Sequence, residues 1–166
     1  MTELQRLADQ LDHLFTGPTW HGPAVREILA EVSPADALAH PVAGGHSIVE
    51  LVHHLDTWNR VVDQRLAGGS PDVGPELDWP KPDIESLETA ISKLADSHAS
   101  LTQAIRSLPA ERLFDELPGD SPERPTVYVT LQGIGQHYAY HAGQMAILVR
   151  ALQTASTPAV ARQEHA

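Results

Sequence analysis

Apolar residues recur along this chain in alternating steps of three and four, the period of a helix with one buried face. The first such run is Leu4, Leu7, Leu11, Leu14 and Phe15, opened by Thr2-Glu3-Leu4-Gln5, which fits a capping box, and closed by Thr16-Gly17-Pro18. Pro23 suits a first helical position, and Val25, Ile28, Leu29 and Val32 continue the packing. Ser33-Pro34-Ala35-Asp36 starts a short helical turn, and Pro41 with Gly44-Gly45 breaks the chain again. Ser47-Ile48-Val49-Glu50 is a second capping box. It predicts a long helix to about Ala67, with Ile48, Leu51, Val52, Leu55, Trp58, Val62 and Leu66 facing inward. Residues 68–82 are rich in glycine and proline and read as a crossover. A third helix is predicted over 83–108, from Ile84, Leu87, Ile91, Leu94, His98, Leu101, Ile105 and Leu108. A polar segment from Pro109 to Pro125 leads to a last helix, with Val127, Leu131, Ile134, Tyr138, His141, Met145, Leu148 and Leu152 on its stripe.

Four long amphipathic helices, with a long crossover between the second and third, predict an all-α four-helix bundle. The length suits one domain, taken as residues 1–153, with 154–166 as a flexible C-terminal tail. No strand pattern, internal repeat or second domain interrupts this reading.

Composition narrows the chemistry. With no cysteine, the chain can form neither a disulfide, a thiolate metal site nor a cysteine nucleophile. The formal net charge is −11, from 11 basic and 22 acidic residues. The basic residues are scattered, so the clustered cations that nucleic acid requires are missing, and no nucleic-acid partner is expected. The first residues carry early acidic groups and no apolar core like that of a signal peptide. No uncharged apolar run reaches the roughly 18 residues of a membrane span, so a cytoplasmic protein with no membrane partner is expected.

Histidine supplies the sharper signal. His137 and His141 stand four residues apart on the last helix, which stacks their side chains about 5–6 Å apart at Cβ. Two imidazoles so placed can share one metal ion at about 2.0–2.1 Å each. Ten histidines give roughly 0.6 such pairs by chance, so the pair needs context. Helix phase provides it, since His141 occupies a core-facing slot and His137 lies beside it. A metal needs a third ligand, and the second long helix offers His53 and His54. At about 100° per residue from Ile48, His54 falls near −120°, at the edge of the apolar face, and His53 near +140°, among polar residues. His54, His137 and His141 are therefore the predicted metal ligands, and His53 is expected to face water.

Ser47-IVELVHHLDTW followed by Gly133-IGQHYAYHAGQMAIL resembles the two signatures of the DinB/YfiT-like superfamily of bacterial four-helix-bundle metalloproteins. The first signature's histidine falls on His54. The second's His-x-x-x-His-x-Gly-Gln falls on His137, His141, Gly143 and Gln144, and the likeness spans about residues 1–153. The resemblance implies an up-down-down-up bundle, often a homodimer, that binds a divalent metal such as zinc or nickel. It also implies a transferase using a low-molecular-weight thiol co-substrate on a small molecule. A hydrolase or isomerase, or a non-catalytic stress-response protein, are the alternatives. Tyr138 stands where a zinc protease of the His-Glu-x-x-His type carries its glutamate, which removes that protease's general base. A metal-activated external thiol is compatible with a chain that has no sulfur nucleophile of its own.

Other residues read more plainly. Glu50 lies one turn before His54 and is a candidate proton shuttle, although its first role is the capping box. His98 sits in an apolar slot as a satisfied core histidine, with a fourth ligand as the alternative. Gln144 is either a support for a ligand or a seal of the bundle. Trp20, Trp58 and Trp79 read as packing residues and His46 as a lip residue. Gly133, Gly135 and Gly143 each cost about 1 kcal/mol in a helix interior, which predicts close approach of a neighbouring helix, across a dimer interface or within the bundle.

Overall fold

The computed structural model describes residues 1–80, 87–119 and 124–156, and among these the regular structure is helical, joined by irregular loops and with one isolated bridge between Glu116 and Thr126. Helix α1 spans Glu3–Thr16, capped as the sequence predicts: the Gln5 amide donates to Thr2 Oγ1 at 3.2 Å and the Thr2 amide to Gln5 Oε1 at 2.8 Å. Gly17 closes it at φ 84°, a conformation glycine adopts without steric cost. Helix α2 is Val25–Leu29, not a helix from Pro23 as expected. It begins later because the Glu27 carboxylate accepts the Ala24 amide at 2.7 Å and fixes the first turn there. Helix α3 is the short turn Pro34–Ala37, capped by Ser33.

Helix α4, Ile48–Leu66, starts at the predicted capping box, with the Ser47 amide donating to Glu50 at 2.7 Å and the Glu50 amide to Ser47 at 3.3 Å. The crossover holds one more element than expected, the four-residue helix α5 at Pro75–Asp78, with proline at its first position. Helix α6 is described over Leu87–Ser107; Ile84 and the rest of 83–86 lie outside the described residues. A 3-10 turn at Ala110–Phe114 precedes α7, Val127–Ser156. Helix α7 runs to Ser156, three residues into the segment expected as a tail, and the rest of that segment, 157–166, lies outside the described residues.

The four long helices enclose one core. Helix α4 packs on α6 and α7, and α1 packs on the same two. Asn59 meets Ser97 and Asp63 meets Ser100, so α4 and α6 run in the same direction, which a long connection permits and a short one does not. Leu4, Leu11, Leu51, Leu55, Leu94, Leu101, Tyr138 and Met145 fill the interior. Truncating one such leucine to alanine costs about 2–5 kcal/mol. The core therefore sets the rotation of each helix, and that rotation places the histidines of α4 and α7 opposite one another.

Candidate metal centre

His54 and His141 are buried and His137 is half-buried, and each is on the face of its helix that the apolar stripe directs inward. Their ring nitrogens meet. His137 Nε2 lies 2.9 Å from Nε2 of His54 and 2.9 Å from Nε2 of His141, and one donor atom from each ring lies within 4.8 Å of the other two. Among the described residues no fourth histidine or carboxylate joins this group.

The far side of two rings is anchored. His54 Nδ1–H donates to the backbone carbonyl of Asp78 at 2.7 Å, with the Asp78 carboxylate at 3.3 Å. His141 Nδ1–H donates to Gln144 Oε1 at 2.6 Å. A neutral ring that donates from Nδ1 carries a bare lone pair on Nε2. Two bare nitrogens thus face His137 Nε2, whose single proton at most could satisfy one of them well. A cation at the centre accepts all three lone pairs, so the donor set fits a divalent metal held by Nε2 of each ring. His137 Nδ1 is buried with no hydrogen-bond partner among the described residues, so this ring lacks the support the other two have.

Burial favours the neutral form of all three rings. Burial, reinforced by the charges of its two neighbours, pushes His137 down to about 3. Burial pushes His141 down to about 4 against the opposing bond to Gln144. Burial also lowers His54, and the Asp78 carbonyl offsets part of this. Neutral imidazole is the metal-binding form.

The triad opens on a cavity of about 530 Å³ between α4 and α7, walled by Trp58, Trp79, Ile134 and Tyr140. Trp79 and Trp58 are therefore pocket walls, not simple packing residues. The Trp79 indole stacks on His54, centroids 3.9 Å apart and planes within 5°, and on its other face stacks His46, at 3.6 Å and 2°. Trp58 Nε1–H donates to Asp78 Oδ1 at 2.8 Å, tying α5 to α4. Asp78 gave no signal in the sequence, and Trp79 read only as packing, because a four-residue helix shows no period. The signal it did leave was Gly74-Pro75, a proline poised at a helix start.

Other expectations sort clearly. His53 is half-buried instead of facing water, and it stands outside the cluster. Trp20 is 96% exposed and packs no core. Glu50 accepts bonds from Ser47 and from His40 at 3.0 Å; partial burial raises its carboxyl, but these bonds hold it below the usual range. It does not line the cavity. His98 is a satisfied core histidine, its Nε2 2.8 Å from Asp12 and its Nδ1 3.3 Å from the Tyr138 hydroxyl. That hydroxyl also accepts from Asn59 Nδ2 at 2.7 Å, so Tyr138 points into the core and away from the cluster. A Cβ added at Gly133 or Gly143 meets nothing within 4 Å, and one at Gly135 makes ordinary contact with Leu14. Close helix approach within the bundle thus explains none of the three.

Comparison with known proteins agrees with this fold. The sequence model of the DinB superfamily matches residues 19–145. No curated protein matches the chain. A crystal structure of a conserved protein from Enterococcus faecalis superposes with a TM-score of 0.72 at 18% identity, covering 93% of this chain and 99% of that one. At that identity the likeness is one of fold.

Proposed function

The chain belongs to the DinB superfamily, and from that footing we propose that it is a metal-dependent transferase joining a low-molecular-weight thiol to a small molecule. One observation carries the reading: three neutral histidine nitrogens converge, with no fourth protein ligand among the described residues, where a largely apolar cavity meets them. A closed four-ligand site would suit a structural role, whereas three ligands leave room for a reactant.

His54, His137 and His141 hold the ion, zinc or nickel, through Nε2. The Asp78 carbonyl and Gln144 fix two of the rings, and Trp79 covers the His54 face and keeps water from it. A bound divalent cation supplies the lowered pKa that turns a thiol or water into a nucleophile at neutral pH. The sulfur comes from the co-substrate, because the chain has no cysteine. The test is thiol conjugation to a small electrophile by the zinc- or nickel-loaded protein, with a cobalt-substituted sample to report sulfur binding. Saturable conjugation that His141→Ala abolishes supports the reading. No conjugation and no spectral response to any thiol overturns it and leaves a hydrolase or isomerase, or a non-catalytic metal protein, in its place.

The same reading includes a homodimer. Val129, Tyr140 and Ile147 are exposed on one face of α7, with Gly133 and Gly143 exposed between them. Pairing with a second copy would cover these side chains, and the glycines would let the two helices approach closely. Sedimentation at micromolar concentration should show twice the 18.0 kDa chain mass, and a species of only 18.0 kDa contradicts pairing.

A further inference from the structure

We infer that the cavity is a two-ended site whose far end, Arg65 with Thr130, takes the carboxylate of a substrate that has an apolar middle. The inference rests on the reading of the cavity as the substrate site. Arg65 follows His54 on α4 by roughly 16 Å of helix, and Thr130 precedes His137 on α7 by roughly 10 Å. Both line the cavity, so the two helices run antiparallel there and the polar pair lies at the end opposite the histidines.

The Arg65 side chain is placed as an unused anion receptor. Its Nε is buried with no hydrogen-bond partner, and no carboxylate of the described residues pairs with its guanidinium. Its Cζ lies 5.9 Å from the Trp58 ring centroid, which holds the planar group against the wall. Thr130 Oγ1 is likewise buried without a partner. Buried polar groups are normally satisfied, and two without partners at one cavity end offer donors to an anionic group that enters it.

The charge pattern narrows the ligand. Among the described residues, Arg65 is the one arginine or lysine lining the cavity, and Asp78 is the one carboxylate, beside His54 at the other end. One guanidinium and one hydroxyl suit a monoanion, whereas a phosphate dianion would call for more cations. A carboxylate matches the guanidinium fork with paired hydrogen bonds. Asp78 repels the same carboxylate from the histidine end. The walls between, Trp58, Val62 and Ile134, favour an apolar or aromatic linker. The substrate therefore enters with its carboxylate on Arg65 and its reactive end towards the triad.

The probes are 4-phenylbutyrate and its uncharged amide, titrated by calorimetry into the full chain, zinc-loaded and after chelation. Wild type should bind the acid about ten-fold or more tightly than the amide in both states. Arg65→Met should abolish that preference and leave amide binding unchanged, with circular dichroism checking the helices. Thr130→Val, which keeps side-chain volume, should reduce the preference in the same direction. Equal binding of acid and amide, or binding of neither, overturns the inference. So does a preference that survives in Arg65→Met. If that surviving preference disappears on chelation, the metal holds the carboxylate, and the metal centre stands while the Arg65 assignment fails.

Discussion

The Trp79 indole and the His54 imidazole lie face to face, 3.9 Å apart and within 5° of parallel, so a residue from the crossover closes one side of the histidine cluster. Trp79→Ala removes this contact and the one with His46. Stacked aromatic pairs contribute about 0.5–1.5 kcal/mol beyond their area, so a stability loss of at least that order is expected in urea unfolding. An unchanged midpoint would show that α5 rests on α4 through Asp78 alone.

Gln144 orients His141 by accepting its Nδ1–H at 2.6 Å. Gln144→Leu should leave the fold intact and weaken metal affinity about 10–100-fold, measured by competition with a chelator. Wild-type affinity in that variant would mean that His141 needs no such partner.

The metal-free protein should lose stability as pH falls from 7 to 5.5. The unfolded chain's histidines take up protons near pH 6.5, whereas in the fold His137 and His141 stay neutral until about 3 and about 4. The unfolded state thus binds more protons in this window, and unfolding is favoured as protons are added. Replacing both residues with asparagine should reduce the dependence, leaving the part that buried His54 and His98 contribute. A wild-type stability that is level across the range would contradict the burial of these rings.

The Tyr138 hydroxyl ties Asn59 to His98 within the core. Tyr138→Phe leaves those groups short of a partner at a cost of about 1–3 kcal/mol, seen in thermal or urea unfolding. Metal stoichiometry should not change, because the hydroxyl points away from the cluster. Loss of metal together with stability would join the two networks.

Much of this was legible in the sequence because helix phase is set by the same core that builds the site. The phase of Ile48, Leu51 and Leu55 selected His54 over His53, and the structure places His54 beside His137 and His141. The position of His98 in an apolar slot likewise marked it as a core residue. What phase could not show was tertiary. Trp79 reaches His54 from the end of a helix too short to have a period, and Arg65 becomes a cavity residue only once α7 lies opposite it. The glycines of α7 illustrate the converse: their cost was plain, but among the described residues no helix approaches Gly133 or Gly143 closely.

The most direct test of the metal centre is the metal content of purified wild type and of single alanine variants, by inductively coupled plasma mass spectrometry. One divalent ion per chain is expected in wild type, His53→Ala and His98→Ala, and loss of that ion in His54→Ala, His137→Ala and His141→Ala. Full occupancy in all three triad variants would contradict the centre. Loss in His53→Ala with retention in His54→Ala would move it to the wrong face of α4.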